Sequence, residues 1–283
     1  MEAHEELRPY LFAIAYRMLG SVAEAEDVVQ DAFVRYEEAG VEPDSPKAYL
    51  ATVTTRLAID ELRSARNRRE VYPGEWLPEP IVDDEAARHA ETADTLSLAF
   101  LHLLEKLSPV ERAVFLLREV FDYPYDDVAC IVGKSPENCR QILARAHRHI
   151  EAGRRRFDVS REEREEVARR FLAALEEGET ETLIELLAPD ATVYGDGGGK
   201  APAMPAPLVG AERVAKALIG WGRQAVERGL TYRAADVNGE PGLVFYRPDG
   251  KALWVAELEI ADGVVVAVRS VLNPDKLAHL RNP

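Results

Sequence analysis

The stretch from Tyr123 to Ile150, YPYDDVACIVGKSPENCRQILARAHRHI, constrains this chain most. Apolar residues at Val128, Ala129 and Val132 mark one face of a short helix, and Gly133 then breaks the pattern. Ser135 suits a helix N-cap, and Pro136 suits the first helical position, where its missing N–H costs nothing. The helix that follows repeats Cys139, Ile142, Leu143, Ala146 and Ile150 at a spacing of three and four, a buried stripe. Its opposite face carries Asn138, Arg140, Gln141, Arg145 and Arg148. Two short helices joined by a glycine-bearing turn, the second polar and basic outside, predict a helix-turn-helix that reads DNA.

The net charge of −15 runs against that expectation, because an acidic protein is repelled by phosphate backbones. Either the basic patches act locally or another protein delivers the chain to DNA. At 283 residues there is room for two or three domains. No apolar run approaches the length of a bilayer span, and the acidic start MEAHEELRPY does not read as a secretory leader. The two cysteines, Cys130 and Cys139, read as small core residues of a reducing cytoplasm; no metal site and no cofactor is expected.

Upstream, Leu7, Leu11, Ile14, Ala15 and Met18 form one helical stripe, ended by Gly20-Ser21. Ser21 caps a second helix with Val28, Val29, Ala32, Phe33 and Tyr36 inside and Asp27, Gln30, Asp31 and Arg35 outside, a candidate docking face. A third helix begins at Ser45-Pro46, with Leu50, Val53, Leu57 and Leu62 predicted inward. Arg56, Arg63, Arg66, Arg68 and Arg69 crowd its C-terminal half. A helix C-terminus favours a cation or two; five exceed that need and point to a nucleic-acid contact.

Residues 71–91 are rich in proline and acid and read as a linker, with an unusual WLPEP (Trp76, Leu77, Pro78, Glu79, Pro80) inside it. An exposed Trp beside a Leu is costly, so the pair is expected either to cover a neighbouring helix or to dock as a peptide. Residues 92–157 read as a second helical domain, with SPVE at 108–111 as a capping box and Arg154–Arg156 as a closing basic cluster. From 158 onward helices give way to a period of two, with Asn238-Gly239, Pro248-Asp249-Gly250 and Asp262-Gly263 as hairpin turns. That order predicts an α+β domain with a curved antiparallel sheet around a pocket.

The order of parts resembles the extracytoplasmic-function sigma factors of bacterial RNA polymerase. AEAEDVVQDAFVRY resembles their polymerase-binding helix, SPKAYLATVTTRLAIDELRSARNRRE their −10 helix, and the stretch from Leu104 to Ile150 their −35-reading domain. The C-terminal part is similar to a SnoaL-like domain, which one subgroup carries fused. Three short motifs match that subgroup: WLPEP, DGGGK (Asp196, Gly197, Gly198, Gly199, Lys200) and NPDKL (Asn273, Pro274, Asp275, Lys276, Leu277).

The resemblance implies a multidomain chain: a three-helix region 2 domain over 1–70, the linker, a four-helix region 4 domain over 92–157, and a SnoaL-like domain over 158–283. It implies core polymerase and promoter DNA as partners and a monomer when free, and leaves room for a ligand in the C-terminal cone. The third domain is expected to regulate in cis by packing on the two sigma domains, with DGGGK and NPDKL near WLPEP. The sequence departs from many relatives at Tyr49, where they have Trp, and at Thr55-Arg56, where they have Arg-Asn. Carrying polymerase docking to Asp27, Gln30, Asp31 and Arg35 is therefore firmer than carrying base contacts to the third helix.

Two other readings compete. A ligand-sensing one-component regulator would leave the N-terminal helices without a role and would need a dimer helix the chain lacks. A SnoaL-type cyclase or isomerase would need a pocket acid–base pair. After residue 157 the only histidine is His279, and Glu257 and Glu259 read as facing solvent or another domain.

Overall fold

The computed structural model describes residues 4–40, 43–83, 95–151 and 160–280, with backbone alone for 65–70 and 151. The side chains of Arg66, Arg68 and Arg69, and the Arg154–Arg156 cluster, lie outside the described residues.

The chain divides into two compact units. The first comprises Met1–Val71 and Leu101–Arg154, and the second Tyr72–Phe100 and Arg155–Pro283. The stretch expected as a linker thus counts with the C-terminal domain, as do Leu96 and Phe100, which sequence periodicity had given to the second helical domain.

In the first unit a 3₁₀ turn at Glu5–Leu7 leads into α1 (Arg8–Leu19), α2 (Val22–Ala39) and α3 (Pro46–Glu70). Gly20 takes the left-handed conformation that closes α1, and the Ser21 hydroxyl accepts the Glu24 N–H to open α2. The buried stripe of α3 is Leu50, Ala51, Thr54, Thr55, Ala58, Ile59 and Leu62, while Val53 and Leu57 are only half-buried. The inward face is thus rotated from the one expected, because two threonines occupy core positions that polarity alone would place outside. Past α4 (Leu98–Leu104), α5 (Pro109–Phe115) opens with the Ser108–Glu111 capping box and runs into a π-helical turn at Leu116–Val120. Then come α6 (Tyr125–Val132) and α7 (Pro136–Glu151).

In the second unit α8 (Arg161–Glu177), α9 (Thr180–Leu186) and α10 (Ala211–Glu227) pack on one face of a six-stranded sheet. Its strands are β1 (Leu187–Asp196), β2 (Leu208–Val209), β3 (Thr231–Val237), β4 (Glu240–Tyr246), β5 (Ala252–Ala261) and β6 (Val264–Val271), in the order β2-β1-β6-β5-β4-β3. Only the β1–β6 pair is parallel. Asn238 and Asp262 take φ of 55° and 52°, followed by left-handed Gly239 and Gly263, the two-residue turns that match strand twist. Alternation gives the helical face Val193, Ala256, Leu258, Val266 and Val268. The opposite face holds Val244, Val255 and Val271 and is covered by Leu77, Leu98 and Leu277.

Candidate functional site

In the first unit, α6 and α7 flank Gly133 in the left-handed conformation (φ 64°), and the Ser135 hydroxyl accepts the Asn138 N–H at 3.2 Å. Cys139, Ile142, Leu143, Ala146 and Ile150 are all buried, as spacing predicts. On α6 the buried residues are Val128, Ala129 and Ile131, and Cys130 is exposed, correcting its expected place in the core. Arg140, Gln141, Arg145 and Arg148 are exposed and Asn138 is half-buried, so one helix face presents three guanidiniums and two amides. Asp27, Gln30, Asp31 and Arg35 are exposed along α2. Arg63 is exposed and pairs with Asp60 at 2.8 Å.

Arg56 is otherwise engaged. Its guanidinium donates to the carbonyls of Cys130 at 2.8 Å and Ile131 at 2.9 Å, the C-terminal end of α6, where free carbonyls and the helix dipole favour a cation. Two further contacts join the same halves of this unit. Buried Arg112 donates to the Met18 carbonyl at 2.6 Å and pairs with Glu105 at 2.5 Å, and the hydroxyls of Tyr10 and Tyr123 lie 2.7 Å apart. Arg112 and Tyr10 carried no sequence signal, since their partners are distant in the chain.

The second unit brings the three short motifs to one point, Asp196, which is 0% exposed at the end of β1. One carboxylate oxygen accepts the Tyr72 hydroxyl at 2.5 Å and the Gly198 N–H at 3.1 Å. The other accepts the Leu77 N–H at 2.9 Å and the Lys276 ammonium at 2.7 Å. Its backbone carbonyl accepts the N–H groups of Leu272 and Asn273. Lys276 also donates to the Leu77 carbonyl and sits 4.1 Å from the centroid of the Trp76 ring. Asn273 donates to the Tyr72 hydroxyl at 2.9 Å, and Lys200 pairs with Asp275. Burial and the Asp196 carboxylate hold the Tyr72 hydroxyl above the usual tyrosine range, so it stays a donor.

This packing explains the glycines. A Cβ on Gly198 would collide with the Asn273 side chain and lie 2.9 Å from the Tyr72 oxygen; on Gly199 it would lie 2.8 Å from Pro73. Both residues are left-handed, at φ 58° and 69°. The Trp76-Leu77 pair rests on a sheet face, neither exposed nor over a helix. Leu77 is fully buried with Pro78 and Pro80, while Trp76 and Glu79 are half-buried. Of the NPDKL residues, Asn273, Lys276 and Leu277 are buried and Pro274 and Asp275 exposed.

A second grip lies at Asn238, which sequence marked only as a turn. It is 0% exposed, its side-chain carbonyl accepts the Ile81 N–H at 2.8 Å, and its amide donates to the Leu96 carbonyl at 2.9 Å. Asp83 adds an ion pair with Arg233 at 2.5 Å.

Of the two placements expected for Glu257, solvent or a contact with another domain, the first does not hold: it is 0% exposed and meets Leu98, a residue of the 92–157 stretch. Burial pushes its carboxyl up to about 8 against the pull of nearby Arg269, and it accepts the Leu98 N–H at 3.2 Å. Half-buried Glu259 pairs with buried Arg269 at 2.6 Å. Strand alternation puts Glu257 and Glu259 on the face opposite the helices.

Comparison with known proteins fits both units. Residues 3–68 match the model of Sigma-70 region 2 and residues 97–150 that of Sigma-70, region 4. Over 96% of this chain and 91% of the relative, the sequence is 37% identical to the ECF RNA polymerase sigma factor SigJ of Mycobacterium tuberculosis. The chain belongs to the extracytoplasmic-function sigma factors. It is an alternative sigma factor of transcription initiation with a SnoaL-like third domain. The probable ECF sigma factor SigI of the same organism is 32% identical over 97% of this chain and 93% of its own. The crystal structure of M. tuberculosis SigJ superimposes with a TM-score of 0.79 at 32% identity, covering 97% of this sigma factor and 96% of that chain. Among the described residues no helix is long and apolar enough to cross a membrane.

Proposed function

We propose that this sigma factor reads promoters in the cytoplasm as a subunit of RNA polymerase, and that its SnoaL-like domain restrains it in cis by gripping the segment between regions 2 and 4. On this reading Asp27, Gln30, Asp31 and Arg35 dock on polymerase, Arg56, Arg63, Arg66, Arg68 and Arg69 meet the −10 strand, and the α7 face enters the −35 major groove. There Arg favours guanine and Asn or Gln favours adenine. Docking through polymerase also accommodates the net charge of −15, since free DNA binding is not required.

The single observation behind the restraint is the clasp of Tyr72 and Leu77 on Asp196. Promoter elements named −35 and −10 lie roughly 25 base pairs apart, about 85 Å of B-form helix at 3.4 Å per step. A compact unit of this size has a radius of gyration of only about 14 Å, so regions 2 and 4 cannot read both elements while joined as Arg56 and Arg112 join them. The segment 72–100 counts 29 residues and, freed, could reach about 95–105 Å. Held by Asp196 and Asn238, it is not available as a tether. Release of the clasp therefore favours initiation.

Catalysis finds less support: Glu257 and Glu259, the strand carboxylates weighed for acid–base work, lie on the sheet face opposite α8, α9 and α10. Run-off transcription with bacterial core polymerase on a promoter library tests the reading. Initiation should require the added protein and should rise with Trp76→Ala. Equal initiation with and without the protein would refute promoter reading, and an unchanged rate for Trp76→Ala would refute the restraint.

A further inference from the structure

The three guanidiniums on the exposed face of α7 are supported in three different ways. Arg145 lies 3.7 Å from the carboxylate of Glu111, the capping-box residue of α5. Arg148 donates to the Ala144 carbonyl of its own helix at 3.3 Å. Arg140 lies over the ring of Tyr125, 4.9 Å from its centroid, and its ion pair with exposed Glu137 is loose at 3.6 Å. Arg140 is also the fifth residue of α7, in the N-terminal part of a recognition helix, where side chains meet base edges.

Local structure places that ring. After the π-helical turn at Leu116–Val120, Asp122 takes a left-handed φ of 53°, and the Tyr123 N–H returns to the Leu117 carbonyl at 2.8 Å. Pro124, extended at φ −62° and ψ 152°, then opens α6 with Tyr125 as its first residue. Arg118 braces the ring from the turn. Its guanidinium lies 5.3 Å from the same centroid and donates to the Asp122 carboxylate at 3.0 Å and to the Tyr123 carbonyl at 3.1 Å. A cation over an aromatic face is attracted by the ring quadrupole. Unlike a carboxylate, the ring neither neutralises the guanidinium nor occupies its N–H edge, and that edge is what pairs with guanine O6 and N7.

We propose that Tyr125 is a specificity-determining positioning residue of region 4: its ring, braced by Arg118, holds the Arg140 guanidinium so that its N–H edge meets one guanine of the −35 element. An arginine loses rotamer freedom when it pairs with a base, and one already seated on a ring loses less. The inference rests on the reading of α7 as the face that enters the major groove and of Arg140 as one of its base contacts. It adds a residue of the preceding helix, outside that face, as the one that sets how sharply the base is read.

The test uses the full chain with core polymerase on promoters randomised across the −35 element, with initiation counted for each sequence. Arg140→Ala should flatten the preference at one position. Tyr125→Leu, which keeps an apolar side chain without a π face, should lower the preference at that same position about two- to fivefold, the worth of an exposed cation–π contact. Tyr125→Phe should keep it, and Tyr125→Leu should add nothing in the Arg140→Ala background. A ratio between bases is read, so a smaller folded fraction does not imitate the effect. An unchanged preference in Tyr125→Leu overturns the proposal, and so does an equal loss at every position. A loss in Tyr125→Phe as large as in Tyr125→Leu also overturns it, by assigning the role to the hydroxyl. If Arg140→Ala flattens no position, base reading by Arg140 fails first, and the proposal fails with it.

Discussion

The α7 face and the Asp196 clasp are built from the same charged residue types, yet they do opposite work. On α7, Arg140 is exposed and its pairing with Glu137 at 3.6 Å is screened by water; such pairs contribute about 0–1 kcal/mol. The guanidiniums there cost little to hold and, weakly paired at most, stay exposed to a partner. At the clasp, Asp196 and Lys276 are removed from water and each is saturated by hydrogen bonds. A buried pair adds little net stability against an apolar pair of equal size, but removing one partner strands the other. The exposed face is thus equipped for binding, and the clasp for specifying one docked arrangement of residues 72–83.

The contrast is tested most strongly at Asp196. Asp196→Ala should cost the second unit about 3–5 kcal/mol by stranding Lys276, and it removes the acceptor of Tyr72 and Leu77. All three tryptophans, Trp76, Trp221 and Trp254, belong to that unit, so the thermal transition read by tryptophan fluorescence reports it alone. A loss below about 1 kcal/mol would show that the clasp is no more than a surface pair.

Gly198→Ala comes next. It forces a left-handed alanine, at about 1–2 kcal/mol, and pushes Asn273 off Tyr72. The same fluorescence transition should fall by that amount or more, whereas a neutral result would mean that the glycine is dispensable.

Glu257→Gln adds a pH signature. A carboxyl raised from 4.5 to about 8 by folding holds its proton more tightly in the native state. Its native form is therefore most favoured below about 4.5, and stability drains as pH rises toward 8. The amide mimics the neutral acid and keeps an acceptor for the Leu98 N–H. The variant should gain on the wild type as pH rises, on the order of 1–3 kcal/mol by about pH 8.5. Parallel pH curves would contradict the burial of this carboxyl.

Arg140→Ala should have the smallest effect on stability, below about 0.5 kcal/mol. In promoter binding it should cost about 1–3 kcal/mol and relax the preference at one base position. A uniform loss across promoters would reassign Arg140 to the phosphate backbone.

The sequence was most legible where local rules decide the outcome. The α7 stripe, the Ser108 capping box and the Asn238-Gly239 and Asp262-Gly263 turns all formed at the residues expected, because caps, glycines and periods act over a few positions. It was least legible where burial depends on distant chain. Alternation placed Glu257 and Glu259 on one strand face correctly, but the cover over that face comes from distant chain, including Leu98, 159 positions from Glu257. Tyr72 gave no signal and Asn238 only that of a turn, because their gripping roles exist only once the segment lies on the sheet. Thr54 and Thr55 shifted the reading of α3 because core threonines look like surface. Trp76-Leu77 was the exception: an apolar pair within an acidic, proline-rich stretch announced a long-range contact, and the matched motifs pointed to DGGGK and NPDKL as its partners.

The central claim is that the Asp196 clasp keeps regions 2 and 4 together in the free protein. Its most direct test is spin-label distance measurement between Glu38→Cys and Lys134→Cys, both exposed, in a Cys130→Ser background without polymerase. The account predicts one narrow, short distance in the otherwise wild-type chain, and a broad, longer distribution when Asp196→Ala is added. The same short distance in both chains would contradict it.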